Sequence, residues 1–227
     1  MPTTTSPAAQ DYLKALYVLE EKRPPPESGA TAVATTALAH ELSVSAASAT
    51  NMLKKLNSMG LVRHMPYRGT ELTESGRQVA LEVIRHHRLL ETYLAKALGV
   101  PWDEVHDEAE VLEHVLSEGL EERISSLLGD PTADPHGHPI PAKDGSVPAA
   151  SRTRLWDTSV GSTVTVAWVS DAEPEALRYL ASMDIGPGTS LSIENRGPIG
   201  GPLFVRVGTN DESTALSREV SEVVWVK

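Results

Sequence analysis

The stretch "ATTALAHELSVSAASATNMLKKLNSMGLV", residues 34–62, decides the fold. It holds two short helices, predicted over about 35–42 and about 45–58. The second opens at an N-cap serine, Ser45, whose hydroxyl can accept from a backbone N–H of the first turn, and it closes at Gly60. Only two or three residues separate the two helices, which is the spacing of a helix-turn-helix.

Working outward, "LVRHMPYRGTELTESG" (61–76) reads as two short strands around a turn from Pro66 to Gly69, with Thr73 as the N-cap of a new helix. Upstream, "AQDYLKALYVLEEK" (9–22) puts Tyr12, Leu13, Leu16, Tyr17 and Leu19 on one helical face before Pro24-Pro25-Pro26. Helix, helix pair and hairpin together predict a winged helix-turn-helix. Residues 74–98 read as one long helix with Val79, Val83, Ile84, Leu90 and Leu94 as its apolar seam and Gly99 at its end. A helix with Pro101 at its first position and another after Ser117 follow. The Pro/Gly-rich connector "DPTADPHGHPIPAKDG" (130–145) then leads to β-type runs, "TVTVAWV", "TSLSIEN", "LFVRVG" and "EVVWVK", with one helix near 173–183. A small β-barrel is the expected form.

Composition narrows the function. Among the 227 residues there is no cysteine, which excludes disulfides, thiolate metal sites and cysteine nucleophiles. No apolar run approaches a membrane span and no signal-peptide pattern opens the chain, so the cytoplasm is the expected location and no membrane partner is expected. Net charge is −11, which argues against a nucleic-acid partner until it is resolved along the chain. Residues 1–73 carry 7 Lys/Arg against 6 Asp/Glu, residues 74–150 carry 6 against 15, and residues 151–227 carry 7 against 10. The excess acid is concentrated in the middle third.

Within that third lies "HDEAEVLEHV" (106–115). At about 100° per residue, a helix would gather His106, Glu110, Glu113 and His114 into an arc of roughly 100°, opposite Val111, Leu112 and Val115. Such a stripe is either a wet acidic face or half of a metal site. His87 and Glu91, one turn apart on the preceding helix, together with Asp11 near the chain start, favour the metal. His86 reads as a solvated or capping residue, and His40 and His64 as surface or DNA-side residues.

Taken together, "YLKALYVLEE", "SVSAASATNMLKKLNSMGLV", "ELTESGR", "HHRLLETYL", "GVPWDEVHDEAEVLEHVLSE" and "GHPIP" resemble the diphtheria-toxin-repressor family, in its manganese-sensing branch. The resemblance runs from about residue 8 to 145 and continues more weakly through an SH3-like C-terminal domain. It implies a mainly α protein with a small β domain: a winged helix-turn-helix over 1–73, a helical metal-binding and dimerisation domain over 74–145, and an SH3-like (FeoA-like) domain over 152–227. It implies a homodimeric, metal-activated repressor of metal-uptake genes that binds a palindromic operator in double-stranded DNA. By position, Asp11, Glu110, Glu113 and His114 match the primary metal site, and His87, Glu91 and His106 the ancillary site, with His136 and Asp171 the nearest matches for its remaining ligands. The iron-sensing branch carries Met and Cys where this chain has Asp11 and Glu110. Some two-metal manganese sensors have a second carboxylate three residues after the Asp. Here that residue is Lys14, so two separated sites per subunit are expected instead of a close pair.

Carboxylate and imidazole donors suit Mn²⁺, while Fe²⁺ and Co²⁺ remain compatible. In the second helix of the pair, Ser45, Ala46, Ala47, Ser48, Thr50 and Asn51 are small or polar, which lets a helix approach base edges. Lys54, Lys55, Arg63 and Arg68 are placed to meet phosphates. Two other functions compete: an iron-responsive repressor of the same fold, and a His/Glu metalloenzyme. The second is weakened because neither H-E-x-x-H nor Glu-x-x-His occurs in the chain.

Overall fold

The computed structural model describes residues 5–21, 32–65, 68–210 and 212–227. The expected proline stop at 24–26 and the Pro66 end of the hairpin turn lie outside them. The chain divides into two compact units, one reaching to His86 and including 141–146, the other comprising His87–Ile140 and Val147–Lys227.

The first unit contains α1 (Pro7–Glu21), α2 (Thr35–Glu41), α3 (Ala46–Ser58), β1 (Val62–Met65), β2 (Gly69–Leu72) and the first half of α4 (Glu74–Leu98). Ser45 caps α3 by accepting from the Ser48 N–H at 3.1 Å, as its position in the sequence predicts. Leu13 and Leu16 of α1, Leu38 of α2, and Leu53 and Leu56 of α3 have no accessible surface and form the core of the helix cluster. β1 and β2 pair antiparallel, Val62 opposite Leu72 through Met65 opposite Gly69. Val33 extends this hairpin by a bridge to Thr70. Glu20 at the end of α1 accepts from the Leu72 N–H at 3.2 Å and from the Arg77 guanidinium at 2.5 Å, tying α1 to the hairpin and to the start of α4. Gly76 is required in that start, since a Cβ there would meet the Leu61 carbonyl oxygen at 1.8 Å. Helix pair and wing form as expected.

The second unit holds the rest of α4, then α5 (Val105–Leu112), α6 (Glu118–Leu127) and the C-terminal sheet. Leu89, Leu90, Ala109, Ile124 and Ile140 make its helical core. Two helix boundaries differ from expectation. α5 begins at Val105 and not at Pro101, because the Trp102 carbonyl that a longer helix would use internally accepts instead from His136 Nε2 at 2.7 Å. It also ends at Leu112, which leaves Glu113 at the C-cap and His114 in the following turn. His86 is a further correction: at 6% exposure it is buried, because α4 turns it inward with Val83 and Ile84.

Six antiparallel strands form the C-terminal sheet: β3 (Thr153–Arg154), β4 (Thr163–Val169), β5 (Ser190–Arg196), β6 (Leu203–Val207), β7 (Ser213–Leu216) and β8 (Val224–Val226). Their order is β3-β8-β4-β5-β6-β7, which makes an SH3-like domain. α7 (Pro174–Ala181) buries Leu177 and Leu180 against Leu191, Ile193, Val205 and Leu216, and α8 (Arg218–Glu222) precedes β8. Among the described residues no helix is long and apolar enough to cross a membrane.

Candidate metal centre

Four donors from three segments of the second unit converge. α4 contributes His87 and Glu91, α5 contributes His106, and Asp171 follows β4. One donor atom from each lies within 4.8 Å of the others. Donors held about 2.1 Å from a small divalent cation stand roughly 3 Å apart as neighbours and about 4.2 Å apart when opposed. The cluster is close to that size. Glu91 Oε1 lies 3.1 Å from His87 Nε2, 3.5 Å from His106 Nδ1 and 3.8 Å from His136 Nδ1. Asp171 Oδ2 lies 3.5 Å from His106 Nδ1.

His136 of the connector stands beside this cluster, its Nδ1 3.8 Å from Glu91 Oε1, and groups more closely with Asp134 and His138. Its backbone explains how it is held there. Asp134 Oδ1 accepts from the N–H groups of His136 and His138 at 2.8 and 2.9 Å, and the His136 carbonyl accepts from Val169 at 2.9 Å. Gly137 passes so close to β4 that a Cβ would stand 2.3 Å from the Ala167 carbonyl oxygen. His136 Nε2–H donates to the Trp102 carbonyl, so Nδ1 is the nitrogen turned toward Glu91. A second partner that fixes the outer nitrogen of an imidazole is the usual companion of a metal ligand.

Charge in this cluster is unbalanced in a way that a cation fits. The Asp171 carboxylate, and Glu91 with it, raises His106 to about 10 against the pull of burial. Burial works against charge on His136, yet Glu91 and Asp134 push it up to about 9. Burial would raise Glu91, but His106, His136 and His87 hold it well below the usual carboxylate range. Burial works the same way on the half-buried Asp171, but its bond to His106 holds it down. Glu91 Oε2 and His136 Nδ1, both buried, make no hydrogen bond. Buried polar atoms without partners are rare and costly. The donor set fits a hard, imidazole-accepting divalent ion.

The other expected ligands are distributed as follows. Glu113 is buried, with Oε2 2.5 Å from His87 Nδ1 and Oε1 3.6 Å from His114 Nε2. Glu110 Oε1 lies 3.8 Å from His106 Nε2 and 4.0 Å from His87 Nδ1. Asp11 belongs to α1 in the first unit, half-buried. Sequence reasoning missed Asp134, Gly137 and the Trp102 carbonyl. An Asp-x-His-Gly-His run, "DPHGH", was the available signal for the first two, whereas a backbone carbonyl leaves none.

On α3, Ala47, Ser48, Asn51, Lys54 and Lys55 are exposed along one face, while Ala49, Leu53 and Leu56 are buried on the other. Ser45 is exposed but its oxygen serves the cap, and the Thr50 hydroxyl donates back to the Ala46 carbonyl at 2.7 Å. In the hairpin Arg63 and Arg68 are exposed, Arg63 with Glu71 at 3.5 Å. Asn57 Oδ1 accepts from the His64 N–H at 2.9 Å, a link between α3 and β1 that the sequence did not announce.

Three family descriptions match the chain: "Iron dependent repressor, N-terminal DNA binding domain" over 4–70, "Iron dependent repressor, metal binding and dimerisation domain" over 73–142, and "FeoA domain" over 153–227. The iron-dependent repressor IdeR of Mycobacterium leprae (strain TN) is 32% identical over 229 residues, covering 95% of each chain. The chain belongs to the iron-dependent repressor family. The diphtheria toxin repressor of Corynebacterium diphtheriae is 31% identical over 195 residues, 82% of this chain and 83% of that one. Among solved structures, a manganese-dependent transcriptional repressor in complex with manganese superposes with a TM-score of 0.86 at 43% identity, covering 96% of this chain and 98% of that one. The manganese regulator SloR superposes at 0.75 with 28% identity, covering 98% of this chain and 99% of that one. This iron-dependent repressor family member is a metal-dependent, DNA-binding transcriptional repressor, and the family is one of repressors, not enzymes.

Proposed function

We propose that the repressor responds to Mn²⁺ through two cation sites per subunit and controls metal-ion uptake from the cytoplasm. The first site uses His87, Glu91, His106, Asp171 and His136. The second uses Glu110, Glu113 and His114, with Asp11 carried over by the resemblance alone. The observation that carries the reading is donor chemistry: both sets are carboxylate and imidazole with no sulfur, in a chain that has no cysteine. Such donors suit Mn²⁺, whereas thiolate or thioether would favour softer ions. Fe²⁺ and Co²⁺ stand above Mn²⁺ in intrinsic affinity, so selectivity rests on geometry and supply. The solved manganese-dependent repressor at 43% identity supports the same reading.

An iron response is the second reading, favoured by the names of the IdeR relatives. The chain would act as a homodimer through the helices of 74–128, reading a palindrome whose half-sites stand about 34–36 Å apart, one helical turn. Titrating the parent and the double variant Asp11→Met with Glu110→Cys with Mn²⁺, Fe²⁺ and Zn²⁺ tests the metal assignment. The double change is expected to shift DNA binding from Mn²⁺ toward Fe²⁺ or Zn²⁺. A parent that responds to Fe²⁺ and ignores Mn²⁺ would install the iron reading instead.

A further inference from the structure

His87 stands between the two donor sets and touches both. Its Nε2 faces the first, 3.1 Å from Glu91 Oε1 and 3.2 Å from His106 Nδ1. Its Nδ1 faces Glu113 Oε2 at 2.5 Å, and the other oxygen of that carboxylate lies 3.6 Å from His114 Nε2. Glu91, His87, Glu113 and His114 therefore form one continuous polar line through the second unit. His87 and Glu113 are 5% and 1% exposed, so water does not substitute for either partner.

We propose that His87 is a relay: it serves the first set through Nε2 and positions Glu113, a donor of the second set, through Nδ1–H. The inference rests on the two-site reading above. A neutral imidazole has one lone pair and one proton, on opposite nitrogens. If Nε2 presents its lone pair to a cation, the proton resides on Nδ1, where its acceptor is the Glu113 carboxylate. That bond orients the His87 ring and raises its basicity as a ligand, and the same bond fixes one oxygen of Glu113 so that the other points along the line to His114. Binding at either set then favours the arrangement the other set needs, and the coupling is reciprocal. The ring also holds the two sets apart, which accords with separated sites in a chain that has Lys14 where a close pair would want a carboxylate.

The relay separates two variants that damage the second set equally. Glu113→Ala and His114→Ala each remove one donor from it, but only Glu113→Ala removes the acceptor of His87 Nδ1–H. Uptake of Mn²⁺ by the full-length protein, followed through the electron paramagnetic resonance signal of the free ion, reads the affinity of the first set in each. Loss of an outer partner of a ligating histidine costs roughly 10–100-fold in metal affinity. Glu113→Ala should show that loss at the first set, and His114→Ala, which keeps the acceptor of His87 Nδ1–H and forfeits only the coupling to a filled second set, should lose clearly less. Glu113→Gln, which keeps an acceptor oxygen without the charge and preserves side-chain size, should recover most of it. A ¹H–¹⁵N spectrum of the Zn²⁺-loaded protein should show an exchange-protected His87 Nδ1–H in the parent and in Glu113→Gln, absent from Glu113→Ala. Two Mn²⁺ per parent chain with equal first-set affinities in Glu113→Ala and His114→Ala would overturn the relay alone. A parent that takes up a single Mn²⁺ would overturn the two-site reading and the relay with it.

Discussion

Glu91 has no accessible surface, and one of its oxygens faces imidazole nitrogens of His87, His106 and His136 within 4 Å. A lone buried carboxylate is costly, and here the histidines offset that cost in the metal-free protein by holding protons. His106, raised to about 10, and His136, raised to about 9, are both charged at neutral pH in that state. A cation needs their lone pairs, so binding must release protons. The sign follows: protons compete with metal, and Mn²⁺ affinity at this set should rise as pH rises toward 9 and fall as pH drops. Calorimetric titrations at pH 6.5 and 8.5, each in two buffers of different ionisation enthalpy, check both the direction and the proton release. With the two sites proposed above, Glu91→Gln should lower Mn²⁺ uptake by one ion per chain. At this scale the sequence was readable where imidazole and carboxylate donors recur at helical spacing, as for His87 with Glu91 and His106 with Glu110. It was unreadable where the partner is a backbone carbonyl, as at Trp102, or where the main chain must pass without a Cβ, as at Gly137.

Helix α3 was legible down to its cap, because a serine N-cap, a 3.6-residue apolar period and a terminal glycine are all local signals. The start of α5 was not, since tertiary competition for the Trp102 carbonyl overrides the preference of proline for a first helical turn. On α3, Asn51 is exposed with an amide able to pair with a base edge, whereas Lys54 is a point charge suited to phosphate. Asn51→Ala should weaken binding to the operator by about 1–3 kcal/mol and barely change binding to random DNA. Lys54→Ala should weaken both alike and reduce the salt slope by about one unit. Fluorescence-anisotropy titrations on operator and scrambled duplexes at several salt concentrations separate the two, and equal effects would mean that α3 does not read bases. In the connector, Gly137→Ala should drive the loop off β4 and withdraw His136, weakening Mn²⁺ uptake at the first set while leaving the winged unit folded by circular dichroism.

Across the whole molecule, the acid excess lies in residues 74–150, and the first 73 residues are close to neutral. With so few basic groups near α3, the metal-free chain has little electrostatic pull on DNA, which suits a repressor whose ligand does the switching. Val111, Val115 and Leu127 leave large apolar side chains exposed, at 72%, 76% and 69%, within the domain the family uses for dimerisation. Charging that surface with Val115→Glu should shift sedimentation from dimer toward monomer at micromolar concentration. The three-part architecture was legible because each part has its own periodicity; the short strands β3 and β7 and the helix α8 were not, being two to five residues long and held by the sheet they complete. The most direct test of the account is binding of the purified chain to its own promoter DNA as Mn²⁺ is added to metal-free protein. Sequence-specific binding should be weak without metal, rise steeply as Mn²⁺ binds, and fail to rise in Asp11→Ala although that variant stays folded. Equal binding with and without Mn²⁺, or an Asp11→Ala variant that responds like the parent, would contradict the account.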